Sequence, residues 1–259
     1  MAQLTDRVSP NQDIIDIAKQ QWETTKRSTI PTEIVLLPSA GKIYPKTSPL
    51  RNGQLEMRYM TAYDEDILTN ASFLREGIVL DKLLTSLIVT PGVLVDDLAT
   101  ADKDALIIQS RILSYGAEYP VKVLDPSTDT YINRTVNLTE LKFVAFNLES
   151  DDLGEFDYEI NDDTKIKFSF LRSKHSKKTV DDQIISNMLF NMITQVNDSR
   201  KSADIIDFIR YKFLARDAKK FRDWVQANSP SINLETKFEG EDGGTFTSKF
   251  QLGSDIFWF

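Results

Sequence analysis

The N-terminal stretch of the chain has apolar side chains at helical spacing. Within residues 11–28 the apolar positions recur every three to four residues and end near Trp22, and Pro31 follows as a helix breaker. This pattern predicts an amphipathic helix that forms an N-terminal arm. Its apolar face covers either the rest of the chain or a neighbouring protein, and the sequence leaves both interpretations open.

A β-hairpin with a long loop is predicted after this arm. Residues 33–38 form a short apolar run, and residues 54–60 alternate polar and apolar side chains as a half-buried strand does. The connection, residues 39–53, contains glycine and proline at turn positions. Loops of this length are often functional. We expect this one to be ordered against a partner or against adjacent helices, with Tyr44 as its anchor.

Capping residues and hydrophobic periodicity predict a mixed series of helices and strands in the remainder. Thr61 and Asp64 have the spacing of a capping box, and Gly116 fits the end of a helix. The predicted helices cover residues 78–90, 102–115, 179–196, 202–214 and 216–227. The predicted strand pairs are 118–124 with 130–138, 155–161 with 164–171, and 232–238 with 245–252.

The order of these elements predicts an α+β fold. It begins with a β-hairpin and short helices, continues with a β insertion, and ends with a helical bundle and a C-terminal β-hairpin. We divide the chain into an N-terminal helical arm (1–31), a hairpin-plus-helices core (32–116), a β-rich insertion (117–173), and a helical bundle with terminal hairpin and aromatic tail (174–259).

Composition and charge narrow the classes of function. The 259 residues include 39 Asp and Glu against 31 Lys and Arg, a formal net charge of −8, and no cysteine. An acidic balance argues against nucleic acid as a partner. The lack of cysteine excludes disulfides, thiolate metal sites and cysteine nucleophiles. No apolar stretch approaches the length of a spanning helix, so we expect a soluble, cytoplasmic protein with no membrane partner.

The sequence carries no catalytic signature. The single histidine, His175, lies among lysines and has no second ligand at metal-binding spacing. Acidic pairs such as Asp162 and Asp163 are typical of solvated loops and helix starts. No glycine-rich phosphate loop and no nucleophile motif is present. We therefore predict that the protein is not an enzyme and has no cofactor and no metal.

The chain ends in four consecutive apolar residues, 256–259. A free terminus is ordinarily polar, because several large apolar groups in water promote association. The tail therefore either folds into the protein's own core or inserts into a partner. The candidate interface residues are Trp22, Tyr44, Phe257, Trp258 and Phe259.

Four short motifs occur in an order and spacing that resemble one known family. They are Leu37-Pro-Ser-x-Gly-x-x-Tyr44-Pro45 with Gly53-x-Leu55, Met60-Thr-Ala-Tyr-Asp-Glu-Asp-Ile-Leu68, Gly77-x-Val79-Leu-Asp-Lys-Leu-Leu84 and Arg111-Ile-Leu-Ser-Tyr-Gly-x-Glu-Tyr119. Over roughly residues 33–140 they resemble the T-even-type bacteriophage baseplate proteins, the family of the small hub subunit. Some relatives carry a Cys-Pro-x-Cys-Gly knuckle where this chain has residues 125–129 without cysteine, so no metal is expected there.

The resemblance implies a structural subunit of the baseplate hub of a contractile phage tail. Its partners would be other tail and baseplate proteins, and a homo-oligomer in the assembly is left open. It would lie in the host cytoplasm during assembly and then in the virion tail baseplate. Two alternatives remain, a transient assembly chaperone absent from the mature virion and a hydrolase of cell wall or nucleic acid.

Overall fold

The structure is a computed structural model that describes residues 30–176, 184–250 and 256–257. Its strands are β1 (Thr32–Leu36), β2 (Gln54–Arg58), β3 (Glu118–Asp125), β4 (Thr130–Asn137), β5 (Lys142–Val144), β6 (Phe156–Asn161), β7 (Thr164–Phe168), β8 (Ile193–Val196), β9 (Ser231–Asn233), β10 (Glu235–Glu239) and β11 (Thr245–Lys249). Its α-helices are α1 (Ala62–Leu68), α2 (Ala71–Glu76), α3 (Val79–Leu87), α4 (Thr100–Tyr115), α5 (Ser173–Ser176), α6 (Ile184–Met192), α7 (Ser202–Asp207) and α8 (Ala215–Ala227).

The described strands form small antiparallel sheets, and the predicted α+β class is confirmed. The four predicted hairpins are present as β1–β2, β3–β4, β6–β7 and β10–β11. Two pairings join parts that are distant in sequence: β5 pairs with β9, and β8 pairs with β7. Because such pairings cross the predicted segment boundaries, the insertion and the C-terminal segment share their sheets.

Helix α4 is the longest helix among the described residues and contributes deeply buried side chains to the core. Leu106, Ser110 and Arg111 in its middle are almost completely buried. The helix ends at Gly116, whose φ of 89° lies in the left-handed region that glycine tolerates. The predicted helix end is therefore confirmed. The buried apolar side chains of the described residues form one cluster, to which Leu106, Ile107 and Ile108 of this helix contribute.

The predicted helix over residues 179–196 is wrong at its C-terminal end. Helix α6 stops at Met192, and residues 193–196 form β8 on the edge of β7. Three of these four residues are β-branched, which favours a strand. The helical spacing of the apolar positions continues through this segment, but pairing with β7 decides the conformation. Residues 179–183 lie outside the described residues.

The helices after residue 200 pack against a sheet. Phe221 and Trp224 of α8 lie against Tyr158 of β6, with ring centroids 5.0 and 5.2 Å apart, and both also contact Phe168 of β7. Helix α7 continues into one wide helical turn over residues 208–212. The C-terminal helical region therefore packs against the β6–β7–β8 sheet.

Candidate interaction surfaces

The backbone hydrogen bonds of the β1–β2 hairpin come from odd-numbered residues of β1. Leu37 N–H donates to Gly53 O at 2.9 Å, and Tyr59 N–H donates to Pro31 O at 3.0 Å, at the two ends of the ladder. An antiparallel ladder alternates between hydrogen-bonded and non-hydrogen-bonded pairs. The even-numbered residues of β1 therefore direct their backbone groups away from β2.

The outer edge of β2 is covered by the segment that follows α3. Glu56 N–H donates to Thr90 Oγ1 at 2.7 Å. The carbonyl of Glu56 accepts from Val89 N–H at 2.9 Å. The backbone groups that Glu56 directs away from β1 are therefore satisfied.

Among the described residues, the outer edge of β1 is open. Within residues 30–176, 184–250 and 256–257, the backbone groups of Thr32, Ile34 and Leu36 have no hydrogen-bond partner. Ile34 and Leu36 also expose 61% of their surface each. An uncovered apolar edge strand is a template for pairing with another chain, and proteins usually shorten, charge or cover it.

An apolar groove of about 490 Å³ runs along this open edge. One side is α4, which contributes Ile108 and Ile112. The other side is the β5–β9 ladder, which contributes the cross-strand pair Phe143 and Ile232. Glu33 is the single charged residue among the described residues that line the groove. We call this feature the β1 groove.

The inner end of the hairpin holds a buried ion pair. Arg58 and Asp64 form two parallel hydrogen bonds, both 2.7 Å long. Asp64 also accepts from Thr61 N–H at 2.8 Å, the predicted capping-box bond, and from Ser86 Oγ at 2.8 Å. Burial alone raises the pKa of Asp64, but the hydrogen bonds from Arg58, Thr61 and Ser86 outweigh it and hold that pKa below its ordinary value.

Tyr44 anchors the loop of the hairpin to the start of α4. Its ring is fully buried, and its hydroxyl donates to Asp102 Oδ2 at 2.5 Å and accepts from Ala99 N–H at 3.0 Å. Ser39 donates to the same carboxylate through N–H at 2.9 Å and through Oγ at 2.7 Å. Burial raises the pKa of Asp102 above its ordinary value, although these hydrogen bonds oppose the shift. Burial and then the charge of Asp102 raise the pKa of Tyr44.

The loop also packs against residues 150–154 of its own chain. Arg51 Nη1 donates to Tyr44 O at 2.9 Å and to Ser150 Oγ at 2.7 Å. A side chain at Gly154 would place its Cβ 2.7 Å from the carbonyl carbon of Tyr44. Tyr44, one of the predicted interface residues, therefore has no ring surface to offer a partner and acts by shaping the loop.

The described part of the C-terminal tail is folded onto the core. Arg111 Nε donates to Ile256 O at 3.0 Å. Phe257 is 4% exposed and lies edge-on to Tyr115 with ring centroids 6.4 Å apart. For these two residues the structure favours burial in the protein's own core over insertion into a partner.

The other predicted interface residues, Trp22, Trp258 and Phe259, lie outside the described residues. Their role in contacts with a partner stays a prediction.

Hydrogen bonds hold the turn at residues 125–129, a segment without cysteine. Asp125 accepts from Ser127 N–H at 2.8 Å and from Glu241 N–H at 2.8 Å, which ties this turn to the tip of the β10–β11 hairpin. Arg134 Nε donates to Glu239 O at 2.8 Å nearby. Led by the bond from Glu241, these interactions lower the pKa of Asp125.

The described residues contain no group of three or more His, Cys, Asp or Glu side chains that could hold a metal ion. In the same residues, no helix is long and apolar enough to cross a membrane. His175 has a local structural contact, since its Nδ1 accepts from Arg172 N–H at 3.1 Å. The predictions about metals and enzymatic activity themselves remain predictions.

Sequence patterns did not single out Asp102 or the open edge of β1. An acid in the first turn of a helix is ordinarily explained by the helix dipole, so the burial of Asp102 needs the tertiary structure. Ile34 and Leu36 belong to an uninterrupted apolar run with Val35 and Leu37, so the sequence does not show that they are exposed. Only the register with β2 shows that their backbone groups are unpaired.

One family model matches most of the chain. The model is described as T4 bacteriophage base plate protein, and the match covers residues 31–244, which is 214 of the 259 residues. The matched part includes the β1–β2 hairpin, α4 and all other elements of the β1 groove. No curated protein and no solved structure matches the chain significantly.

Proposed function

Because the chain belongs to the family of T4 bacteriophage base plate proteins, we propose that it is a structural subunit of the baseplate hub of a contractile phage tail. The family match over residues 31–244 is the observation that carries this proposal. It gives the chain a structural role in a phage baseplate, with other baseplate proteins as partners. The narrower assignment to the hub rests on the resemblance of the four sequence motifs to the small hub subunit.

The geometry supports a protein that works through contacts. Two of the fully buried carboxylates, those of Asp64 and Asp102, are used in internal hydrogen bonds. A general acid or base needs a group that can reach a substrate, and neither of these can. The β1 groove, in contrast, offers apolar surface and unpaired backbone groups to a macromolecule. We therefore propose that the protein is not an enzyme.

Quantitative mass spectrometry of purified mature phage tests the proposal. A permanent subunit requires this chain at a fixed ratio to other baseplate proteins, and the ratio must survive repeated gradient purification. Host proteins trapped in the preparation serve as the control, because their amounts fall with each step.

Two outcomes would redirect the assignment. If the chain is abundant in baseplate intermediates and absent from mature particles, it acts as a transient assembly chaperone. If the purified chain clears peptidoglycan or nucleic acid in a zymogram, and an exposed-acid variant loses this activity without unfolding, the non-enzymatic assignment fails.

A further inference from the structure

The β1 groove combines an apolar surface with a strand edge whose backbone groups are unpaired among the described residues. Its apolar side chains need a hydrophobic partner, and the edge of β1 offers unpaired backbone donors and acceptors at Thr32, Ile34 and Leu36 within the described part of the chain. A helix in the groove would bury these backbone groups without satisfying them, which costs free energy for each group. An extended strand would pair with them and fill the groove with alternate side chains.

The charges around the groove limit which strand sequences can bind there. Glu33 lines the groove, and Glu56 lies opposite Ile34 in the β1–β2 ladder with an exposed side chain. No Lys or Arg is among the described residues that line the groove. A strand with a basic residue at this edge therefore gains an electrostatic contact, whereas an acidic strand is repelled.

We infer that the β1 groove binds an extended, apolar segment of another baseplate protein, which adds as a third strand to the β1–β2 hairpin. Every second side chain of this segment enters the groove towards Ile108, Ile112 and Phe143, and a basic residue faces Glu33. The nature of the partner as a baseplate protein rests on the proposed function. The added strand itself rests on the open edge and the groove.

A second copy of the chain is a poorer occupant. Antiparallel pairing of two β1 strands over their full length, with hydrogen bonds at the even positions, places Ile34 opposite Ile34 of the other copy. Glu33 of one copy then lies diagonally across from Glu33 of the other, on the same face of the sheet. Like charges at this distance weaken the pairing, while a basic heterologous strand strengthens it.

Site-specific crosslinking identifies the occupant directly. The chain has no native cysteine, so Leu36→Cys introduces one unique attachment point for a benzophenone maleimide. Leu214→Cys is the matched control, because Leu214 is also 61% exposed but does not line the groove. The labelled proteins are assembled with the other baseplate proteins of the same phage, irradiated, and the crosslinked peptides are sequenced by mass spectrometry.

We expect the Leu36→Cys probe to crosslink to one apolar segment with a basic residue in another baseplate protein, at a yield at least tenfold above the control. Crosslinks to residues 1–29 of the same chain would overturn the inference in favour of self-closure by the N-terminal arm. Crosslinks to β1 of a second copy would overturn it in favour of a homodimer. A yield equal to the control would remove the groove as a binding site.

Hydrogen exchange at single-amide resolution provides an independent measurement. In the isolated full-length chain the amides of Ile34 and Leu36 should exchange rapidly, while the amide of Val35, which lies in a hydrogen-bonded pair with β2, is protected. In the assembled baseplate the two rapid amides should slow at least tenfold and Val35 should change little. Protection of Ile34 and Leu36 already in the dilute isolated chain would contradict an external strand.

Two substitutions separate strand addition from simple apolar contact. Ile34→Pro removes an outward N–H that the β1–β2 ladder does not use, and Ile34→Val keeps it. We expect at least a tenfold loss of incorporation into baseplates for the first and little change for the second. Should Ile34→Pro lower the melting temperature, Glu33→Lys tests the same contact through charge, again with at least a tenfold loss expected.

Incorporation of both Ile34→Pro and Glu33→Lys at the wild-type level would refute the added strand. This result is distinguishable from failure of the proposed function. A chain that is absent from mature phage can still receive the strand in an assembly intermediate.

Discussion

The two edges of the β1–β2 hairpin differ although the strands have the same length and the same ladder. On β2 the outward groups of Glu56 are bonded to residues 89 and 90. On β1 the equivalent groups of Ile34 have no partner among the residues that the structure describes. Among the described residues, the fold therefore covers the outer edge of β2 and leaves the outer edge of β1 without backbone partners.

Buried polar groups near both ends of the hairpin are hydrogen-bonded to one another. Next to β2, Arg58, Asp64 and Ser86 satisfy one another in a buried network. At the far end of the hairpin, Tyr44 and Ser39 satisfy Asp102. Buried polar groups cost free energy when they are unpaired, so these interior networks stabilise the hairpin. The open edge of β1 therefore belongs to a hairpin that internal hydrogen bonds stabilise.

The largest effect is expected from breaking the buried ion pair. Asp64→Ala leaves the guanidinium of Arg58 buried without its partner, and we expect the free energy of unfolding to fall by about 3–5 kcal/mol. Urea denaturation measures it. Asp66→Ala, an exposed acid on the same helix, is the control and should cost less than about 0.5 kcal/mol. Equal losses for both variants would mean that the ion pair does not stabilise the hairpin.

A substitution at Phe257 tests whether the described part of the C-terminal tail belongs to the core. Phe257→Ala removes a ring that is 4% exposed, and we expect a loss of about 3–5 kcal/mol, the usual cost of truncating a buried aromatic side chain. Phe190, which is 42% exposed, gives the control variant Phe190→Ala with a loss below about 1 kcal/mol. A normal denaturation midpoint with failed baseplate assembly would instead make Phe257 an interface residue.

Local chemistry explains which parts of this architecture could be predicted. The capping box at Thr61 and Asp64 and the helix end at Gly116 depend on a few neighbouring residues, so the sequence predicts them correctly. Helix α2 is not among the predicted elements, although Asn70 caps its start and Gly77 ends it with a φ of 69°. Its apolar positions are too few to give a clear helical period.

Pairings between distant segments could not be predicted. Nothing local joins Phe143 to Ile232, and β8 forms because β7 has an edge to share. The β1 groove depends on both kinds of information, since its sides come from β1, α4 and the β5–β9 ladder. The candidate residues from the sequence therefore included the loop anchor Tyr44 but not the open edge beside it.

The Tyr44 anchor should have a smaller effect than the ion pair. Tyr44→Phe keeps the ring but removes the hydroxyl that bridges Asp102 and Ala99, and we expect a loss of roughly 1–3 kcal/mol. Thermal and urea unfolding measure it, with Tyr63→Phe as a control because Tyr63 is 74% exposed. If the two variants are equally stable, the hydroxyl contributes no net free energy.

The pH dependence of stability should separate Asp102 from Asp64. The pKa of Asp102 is raised in the folded state. The contribution of this shift to the free energy of unfolding is therefore fully present below the ordinary pKa of about 3.9, and it is lost as the pH rises through the raised value. Asp102→Asn stays neutral. Its stability relative to wild type should therefore increase as pH rises from about 4, by at most about 1.4 kcal/mol per pH unit.

Asp64 should show the opposite trend. Its folded-state pKa is lowered, so its contribution is present above the ordinary pKa and is lost as pH falls through the lowered value. Urea titrations of Asp102→Asn and wild type between pH 4 and 8 check the first trend, and acid unfolding of wild type checks the second. A constant difference between Asp102→Asn and wild type would show that Asp102 does not change its proton affinity on folding.

The smallest effect on stability, and the largest on assembly, is expected at the open edge. Leu36→Ser removes an apolar side chain that is 61% exposed, so the free energy of unfolding should stay within about 0.5 kcal/mol of wild type. Val35, its neighbour on the same strand, is 5% exposed, and Val35→Ser should destabilise the fold by roughly 2–3 kcal/mol because it places a hydroxyl in the core.

Leu36→Ser should then form a folded, more soluble chain that enters baseplates poorly, with Leu214→Ser as the equally exposed control that enters normally. Urea denaturation together with the fraction of each variant in purified baseplates distinguishes these outcomes. Normal assembly of Leu36→Ser would mean that the exposed edge is tolerated rather than used, and the difference between the two edges of the hairpin would have no functional meaning.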